Sequence, residues 1–244
     1  MKMAVISDVH SNLVALQEVI KDIEKHKVDQ IHCLGDTLGY GPHPLECLNL
    51  VIKICEKVLK GNHEDVVCCP YKEDELNPLA CKGVQFSRSK LTRDIMCDIS
   101  RFPIIAEFPE IGFVMCHGSF HKDPMWEYID SPSKAKKELK HTPQKICLIG
   151  HTHSPFVFGS ENGLYEYLPD NLELNPNEKY IINVGSVGQP RDGDCRSSYG
   201  IFDINDGKVS FSLRRVFYDI GKVEQEVRES GLPLEISERL YSGR

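Results

Sequence analysis

The chain has 244 residues, of which 41% are apolar and 27% charged, enough to line a sizeable core and unlike a disordered chain. Its 29 Lys and Arg against 36 Asp and Glu leave a formal charge of −7 with no basic block, which argues against generic duplex binding through phosphate contacts. An anionic substrate would then need positive charge from elsewhere. Ten Cys and ten His are both high counts. No Cys pair has C-x-x-C spacing, and several sit in apolar runs such as Ile31-His32-Cys33-Leu34 and Ile146-Cys147-Leu148-Ile149, where Cys acts as a small hydrophobe. No apolar run reaches the ~18 residues of a membrane span. Asp8 falls where a secretory segment would be apolar. The expectation is a reduced, cytoplasmic chain whose thiols mostly fill the core.

Met3–Ile6 predicts a buried strand that ends at Ser7-Asp8. Asn12 is placed to cap a helix to about His26, with Leu13, Leu16, Ile20 and Ile23 on one face. Ile31–Leu34 predicts a second strand broken by Gly35-Asp36. Leu45 to Ile54 predicts a helix, and Val58–Lys60 a third strand stopping at Gly61-Asn62. This β-α-β-α-β alternation predicts parallel strands with crossovers. Residues 65–110 read as helices and loops punctuated by Pro70, Pro78, Pro103 and Pro109. Gly112–Cys116 and Lys145–Ile149 predict strands around a helix at Ser133–Lys140. After Pro155 come short β-type runs, Phe156–Phe158, Tyr180–Asn183, Tyr199–Asp203 and Val209–Val216, with Asn205-Asp206-Gly207 as a hairpin turn. Leu164–Glu178 reads as a polar loop, and helix follows Gly221.

Five predicted strands end in metal-capable residues: Asp8 and His10, Asp36, Asn62 and His63, His117, then His151 and His153. Sites in open α/β sheets form at the strands' carboxyl ends, where residues distant in sequence converge. Asp8 and His10, like His151 and His153, are spaced i, i+2, which in extended backbone points both to one side. A hard-oxygen and imidazole set suits Mn, Fe, Zn and related divalent ions.

Asp8-Val9-His10, Gly35-Asp36, Gly61-Asn62-His63-Glu64, His117 and Gly150-His151-Thr152-His153 resemble the five ordered motifs of calcineurin-like metallophosphoesterases. Gly39-Tyr40-Gly41-Pro42, the stretch from His117 to Tyr128, and Val184 to Asp194 resemble the bacterial and archaeal branch with diadenosine tetraphosphatase-related proteins and YfcE-like phosphodiesterases. Val184 stands where many relatives carry Pro. The resemblance implies an α/β fold: a four-layer α/β/β/α sandwich of two mixed sheets, one metallophosphoesterase domain over 1–244, with its site at the strand C-terminal ends.

The same resemblance implies two divalent ions, drawn from Mn, Fe, Zn, Ni or Co. One is held by Asp8, His10 and His153, the other by Asn62, His117 and His151, and Asp36 bridges them. Two such ions, about 3.5–4 Å apart, clamp an in-line displacement. The implied reaction is hydrolysis of phosphodiester, phosphomonoester or dinucleoside polyphosphate bonds by a metal-bridged hydroxide. Asn62 and His63 are the implied catalytic pair, with His63 either a general acid or a structural neighbour of the ligands. The ions would bring the positive charge that the composition lacks.

Arg191 is either a phosphate clamp or the partner of Asp192 or Asp194. Tyr40 and Trp126 either stack on a nucleotide base or pack a loop. His121 either lines the pocket or lies outside it. The expected partner is a small phosphorylated substrate, with neither membrane nor duplex nucleic acid. The alternative is a protein-binding scaffold on the same fold, as in the related retromer subunit.

Overall fold

Period-two alternation sorts the first strand, β1 (Lys2–Ile6), onto two cores at once. Met3 and Val5 join one apolar cluster, Ala4 and Ile6 another. A strand buried on both faces belongs inside a layered fold. The computed structural model describes residues 1–121, 125–165 and 169–244. After β1 comes α1 (Leu13–His26), capped by the Asn12 side chain, which accepts from the Ala15 amide at 3.1 Å. The chain continues through β2 (Gln30–Cys33), α2 (Pro44–Ile54) and β3 (Lys57–Val58). β1, β2 and β3 pair in parallel, as the alternation predicts.

Three helices follow: α3 (Asn62–Cys68), α4 (Pro78–Lys90) and α5 (Arg93–Ser100). Then come β4 (Ile105–Phe108), β5 (Phe113–Cys116), α6 (Pro132–Glu138), β6 (Ile146–Ile149), β7 (Phe156–Gly159) and β8 (Gly163–Leu164). The chain closes with β9 (Leu172–Leu174), β10 (Tyr180–Asn183), β11 (Ser197–Asn205), β12 (Lys208–Val216), α7 (Ile220–Ser230) and α8 (Glu235–Glu238). Among the described residues these strands form two six-stranded mixed sheets, ordered β3-β2-β1-β11-β12-β9 and β4-β5-β6-β10-β7-β8.

Met3, Val5, Phe202 and Phe211 of one sheet meet Phe113, Met115, Leu148 and Ile182 of the other in the central core. Ala4 and Ile6 pack outward on Leu16, Val19 and Val51 of α1 and α2. Val114, Cys147 and Ile181 pack outward on Ala135 of α6 and the adjacent Leu139. The result is the α/β/β/α sandwich, and the loops after β1, β2, β3, β5 and β6 all open at one end of it.

Three expectations change. β4 lies within the stretch read as helix and loop: its half-exposed Ile105–Phe108 is a sheet-edge strand held by β5. The polar stretch 164–178 carries β9, paired to β12, and its residues 166–168 lie outside the described residues. The Cys side chains are free, and only Cys33, Cys47, Cys116 and Cys147 are buried, so fewer than expected fill the core.

Candidate metal centre

The loops after β1, β2 and β6 deliver their residues by left-handed turns. Asp8, His10, Asp36, His151 and His153 have φ of 54°, 49°, 51°, 66° and 58°. For non-glycine residues this backbone is uncommon, and its clustering marks a site where surrounding packing overrides local preference. Asp8–His10 and His151–His153 therefore converge through turns, not through the extended backbone expected of their i, i+2 spacing. Glycines make room for those turns. A Cβ on Gly61 would lie 2.1 Å from Asp36 Oδ1, and one on Gly150 would lie 2.0 Å from Ser7 Oγ.

The side chains then meet in a buried cluster. Asp8 Oδ1 is 3.1 Å from His153 Nε2 and 3.7 Å from His10 Nε2. Asp36 Oδ2 stands between the two halves, 3.7 Å from His10 Nε2 and 3.2 Å from His117 Nε2. His117 Nε2 is 3.2 Å from His151 Nδ1. Asp8, His10 and His153 form one group able to hold a metal, and Asp36, His117 and His151 another. His10 and Asp36 also group with His63. The Asn62 Oδ1 atom is buried without a hydrogen-bond partner.

Outer hydrogen bonds fix which ring nitrogens face inward. His10 Nδ1 lies 3.0 Å from the Leu38 carbonyl, His153 Nδ1 2.6 Å from that of Gln189, and His151 Nε2 3.0 Å from that of Trp126. A carbonyl only accepts, so each of those nitrogens carries the hydrogen and the other nitrogen turns a lone pair inward. His10 Nε2 and His153 Nε2 consequently oppose each other at 3.0 Å. Asp8 Oδ1 beside them has no hydrogen-bond donor. Acceptors facing acceptors in a buried space fit cations.

Charge follows the same logic. Burial, then His63 and His153, holds the His10 imidazole well below its usual range. Burial and the neighbouring His117 push His151 down to about 3. Burial would raise Asp8, but His153 and His117 outweigh it and hold the carboxyl low. Asp36 is likewise held low, burial being outweighed by His117 and His63. His117 alone rises, to about 9, because Asp36 and Asp8 outweigh its burial. Two carboxylates thus share one imidazolium, and a negative charge is left for cations to balance.

A cleft opens from the cluster, lined by Asn62, His63, Tyr40, Trp126, Tyr128 and Arg191 among others. The His63 amide donates to Asp36 Oδ1 at 2.9 Å, and its Nε2 lies 3.9 Å from Asp36 Oδ2. Burial leads the causes that push the His63 ring down to about 4. Arg191 is not the partner of Asp192 or Asp194, which pair with Arg215 and Arg196. Its Nη2 donates to Gln189 Oε1 at 2.7 Å and to the Tyr40 hydroxyl at 3.3 Å. Tyr40 is 2% exposed, with its ring against His10 and His63 and the Arg191 guanidinium 5.7 Å from its centroid, so its ring is already covered. The Trp126 ring sits edge-on to His117. His121 lies away from the cleft, paired with Glu138 at 2.7 Å and Glu127 at 3.2 Å.

Two participants have no role in the sequence reading. Glu64, buried, accepts from the amides of Asp36 (2.8 Å), Leu38 (3.0 Å) and Gly61 (2.9 Å), tying two site loops together. Its signal was present, an acid three residues after Gly61 at a helix start. Tyr128 stacks on His151, with ring centroids 4.1 Å apart and planes at 11°; nothing local marks that contact.

The profile of the calcineurin-like phosphoesterase superfamily domain matches residues 1–207. An uncharacterized protein of Methanocaldococcus jannaschii is 34% identical over 243 residues, 99% of this chain and 98% of its own length. The crystal structure of a metallophosphoesterase from Sphaerobacter thermophilus is 35% identical with a TM-score of 0.86, covering 100% of both chains. The structure of a hypothetical protein from Pyrococcus horikoshii shares the fold at 19% identity and a TM-score of 0.77, over 100% of this chain and 98% of the other.

Proposed function

Because the chain belongs to the calcineurin-like phosphoesterase superfamily and is a metal-dependent hydrolase, we propose that it uses two divalent ions to hydrolyse small phosphate esters or phosphoanhydrides. Asp8, His10 and His153 would hold one ion, Asn62, His117 and His151 the other, and Asp36 would bridge. The observation that carries this reading is the 3.0 Å opposition of the His10 and His153 lone pairs beside an unpaired Asp8 oxygen. Mn, Fe, Zn, Ni and Co all suit such a donor set. When bound, the ions supply positive charge for the phosphate and lower the pKa of water there.

The chain's own residues do the rest. His63 reaches the cleft from the start of α3 and is the general acid for the leaving-group oxygen. Arg191 faces the same cleft without a carboxylate partner among the described residues and orients the phosphate. Tyr40 supports Arg191 through its hydroxyl. We read residues 1–244 as one domain, supported by β1 pairing with β11 some 200 positions later. No described helix is long and apolar enough to cross a membrane.

The test is a metal-supplemented screen over phosphomonoesters, bis-p-nitrophenyl phosphate and nucleoside polyphosphates. Asp36→Asn or His151→Ala should abolish turnover, and wild-type rates in either with metal saturating would overturn the two-ion reading. His63→Gln should lower kcat less for substrates with good leaving groups. Equal losses would remove His63 from the acid role.

A further inference from the structure

Away from the candidate centre, a second cluster brings metal-capable side chains together. His121, Glu138 and His141 each offer one donor atom, and these atoms lie within 4.8 Å of one another. Glu138 ends α6, and the His141 amide donates to the Glu138 carbonyl at 2.9 Å, so a tight turn makes their side chains neighbours. His121 comes from the loop after β5. Packing seats that loop on α6, with Phe120 and Ile129 joining Ala135 and Leu139 in one apolar cluster.

The polar atoms of this cluster are poorly served without a cation. Glu138 is 1% exposed. Its Oε2 accepts from the Phe120 amide at 2.8 Å, and its Oε1 lies 2.7 Å from His121 Nδ1. The other ring nitrogen, Nε2, lies 3.2 Å from Glu127 Oε2. Neither contact has hydrogen-bond geometry: Glu138 Oε1 and both His121 nitrogens are buried without a hydrogen-bond partner. Among the described residues no Lys or Arg pairs with Glu138; the nearby Lys134 reaches Glu127 and Asp130 instead. The His141 ring completes the group, its centroid 5.2 Å from that of His121. Two imidazoles and one carboxylate are a donor set that suits Zn²⁺ and related ions. An ion among them would satisfy Glu138 Oε1 and one nitrogen of each ring. Glu127 would then take the hydrogen on the outer His121 nitrogen, as carboxylates do for metal-bound imidazoles.

We propose that His121, Glu138 and His141 form a separate divalent-metal site, of zinc type, that fastens the loop after β5 to α6. The loop bears on the candidate centre, because its Trp126 carbonyl lies 3.0 Å from His151 Nε2 and its Tyr128 stacks on that ring. The site itself does not rest on the phosphoesterase reading. Zn²⁺ is the probe, with bound metal measured by elemental analysis after chelation and dialysis at graded concentrations. Asp36→Asn depletes the candidate centre, and adding His141→Ala should weaken the remaining zinc binding at least about ten-fold. His141 is exposed, so metal-free melting curves of the two proteins should coincide. With Co²⁺ in place of zinc, His141→Cys in the Asp36→Asn background should add a near-ultraviolet thiolate-to-cobalt band, which requires residue 141 to touch the metal. Equal zinc binding with and without His141→Ala, or absence of that band, overturns the site and leaves His121 as an imidazolium between two glutamates. Metal content unchanged by Asp36→Asn counts against the candidate centre instead, and the substitutions at 141 still read this cluster.

Discussion

The Nε2 atoms of His10 and His153 stand 3.0 Å apart with no hydrogen to share, because each ring's Nδ1 faces a main-chain carbonyl. Two lone pairs at that distance repel in a buried space, and Asp8 Oδ1 adds a third acceptor. Divalent metal should therefore stabilise the folded chain strongly. At a hundred-fold excess over Kd one site adds about 2.7 kcal/mol, or about 5–10 °C in Tm for a chain of this size. Calorimetry after chelation and Mn²⁺ addition reads this directly. His153→Ala should lose more than half of the shift, and a wild-type Tm indifferent to metal would sink the two-ion site.

Gly39 and His63 form a second sensitive contact. Gly39 has φ +87°, and a Cβ there would lie 2.0 Å from His63 Nδ1. Gly39→Ala should cost about 1–3 kcal/mol from backbone strain. It should lower kcat roughly 100-fold by moving the ring, while bound metal measured by elemental analysis stays at the wild-type level. A variant that turns over normally would show that His63 does not need this position.

Glu64 acts on the centre only through backbone. Its carboxylate accepts three amides, and Gln would turn an NH₂ toward at least one of them. Glu64→Gln should weaken metal binding about 10- to 100-fold, with activity recovering at high metal concentration. Activity that no metal concentration restores would mean a role other than holding the two loops.

His32 predicts the acid limit of stability. It is 1% exposed against Phe108, neither ring nitrogen has a hydrogen-bond partner, and burial followed by Lys57 pushes it down from 6.5 to about 4. The unfolded chain then takes the proton first, so stability rises with pH across this window and is lost as pH falls from about 6.5 to about 4. The loss is about 3 kcal/mol at 1.36 kcal/mol per pH unit. Above the window the ring is neutral in both states and contributes nothing. Urea unfolding at pH 7 and pH 5 should show a smaller acid loss for His32→Phe than for wild type; equal losses would place the acid sensitivity elsewhere.

The features legible in the sequence were those with local causes. Asn12 and the Leu13–Ile23 stripe specify α1, because a cap and a 3.6-residue period act within one helix. Asp206 and Gly207, both at positive φ, close the β11–β12 hairpin expected at Asn205-Asp206-Gly207. The candidate ligands stood out because each falls just after a strand, where topology alone brings chain segments together. β4 was missed because a half-exposed edge strand has weak patterning and is defined by its partner β5.

Residue types and their order were thus enough to name the family and a candidate ligand set. Tertiary structure alone decided which nitrogens face inward, through the carbonyls of Leu38, Gln189 and Trp126. It also removed Asp192 and Asp194 as partners of Arg191, giving them to Arg215 and Arg196. The physical reason is range: strand and helix signals act over a few residues, whereas hydrogen-bond direction and charge pairing depend on neighbours that only the packed sheets supply.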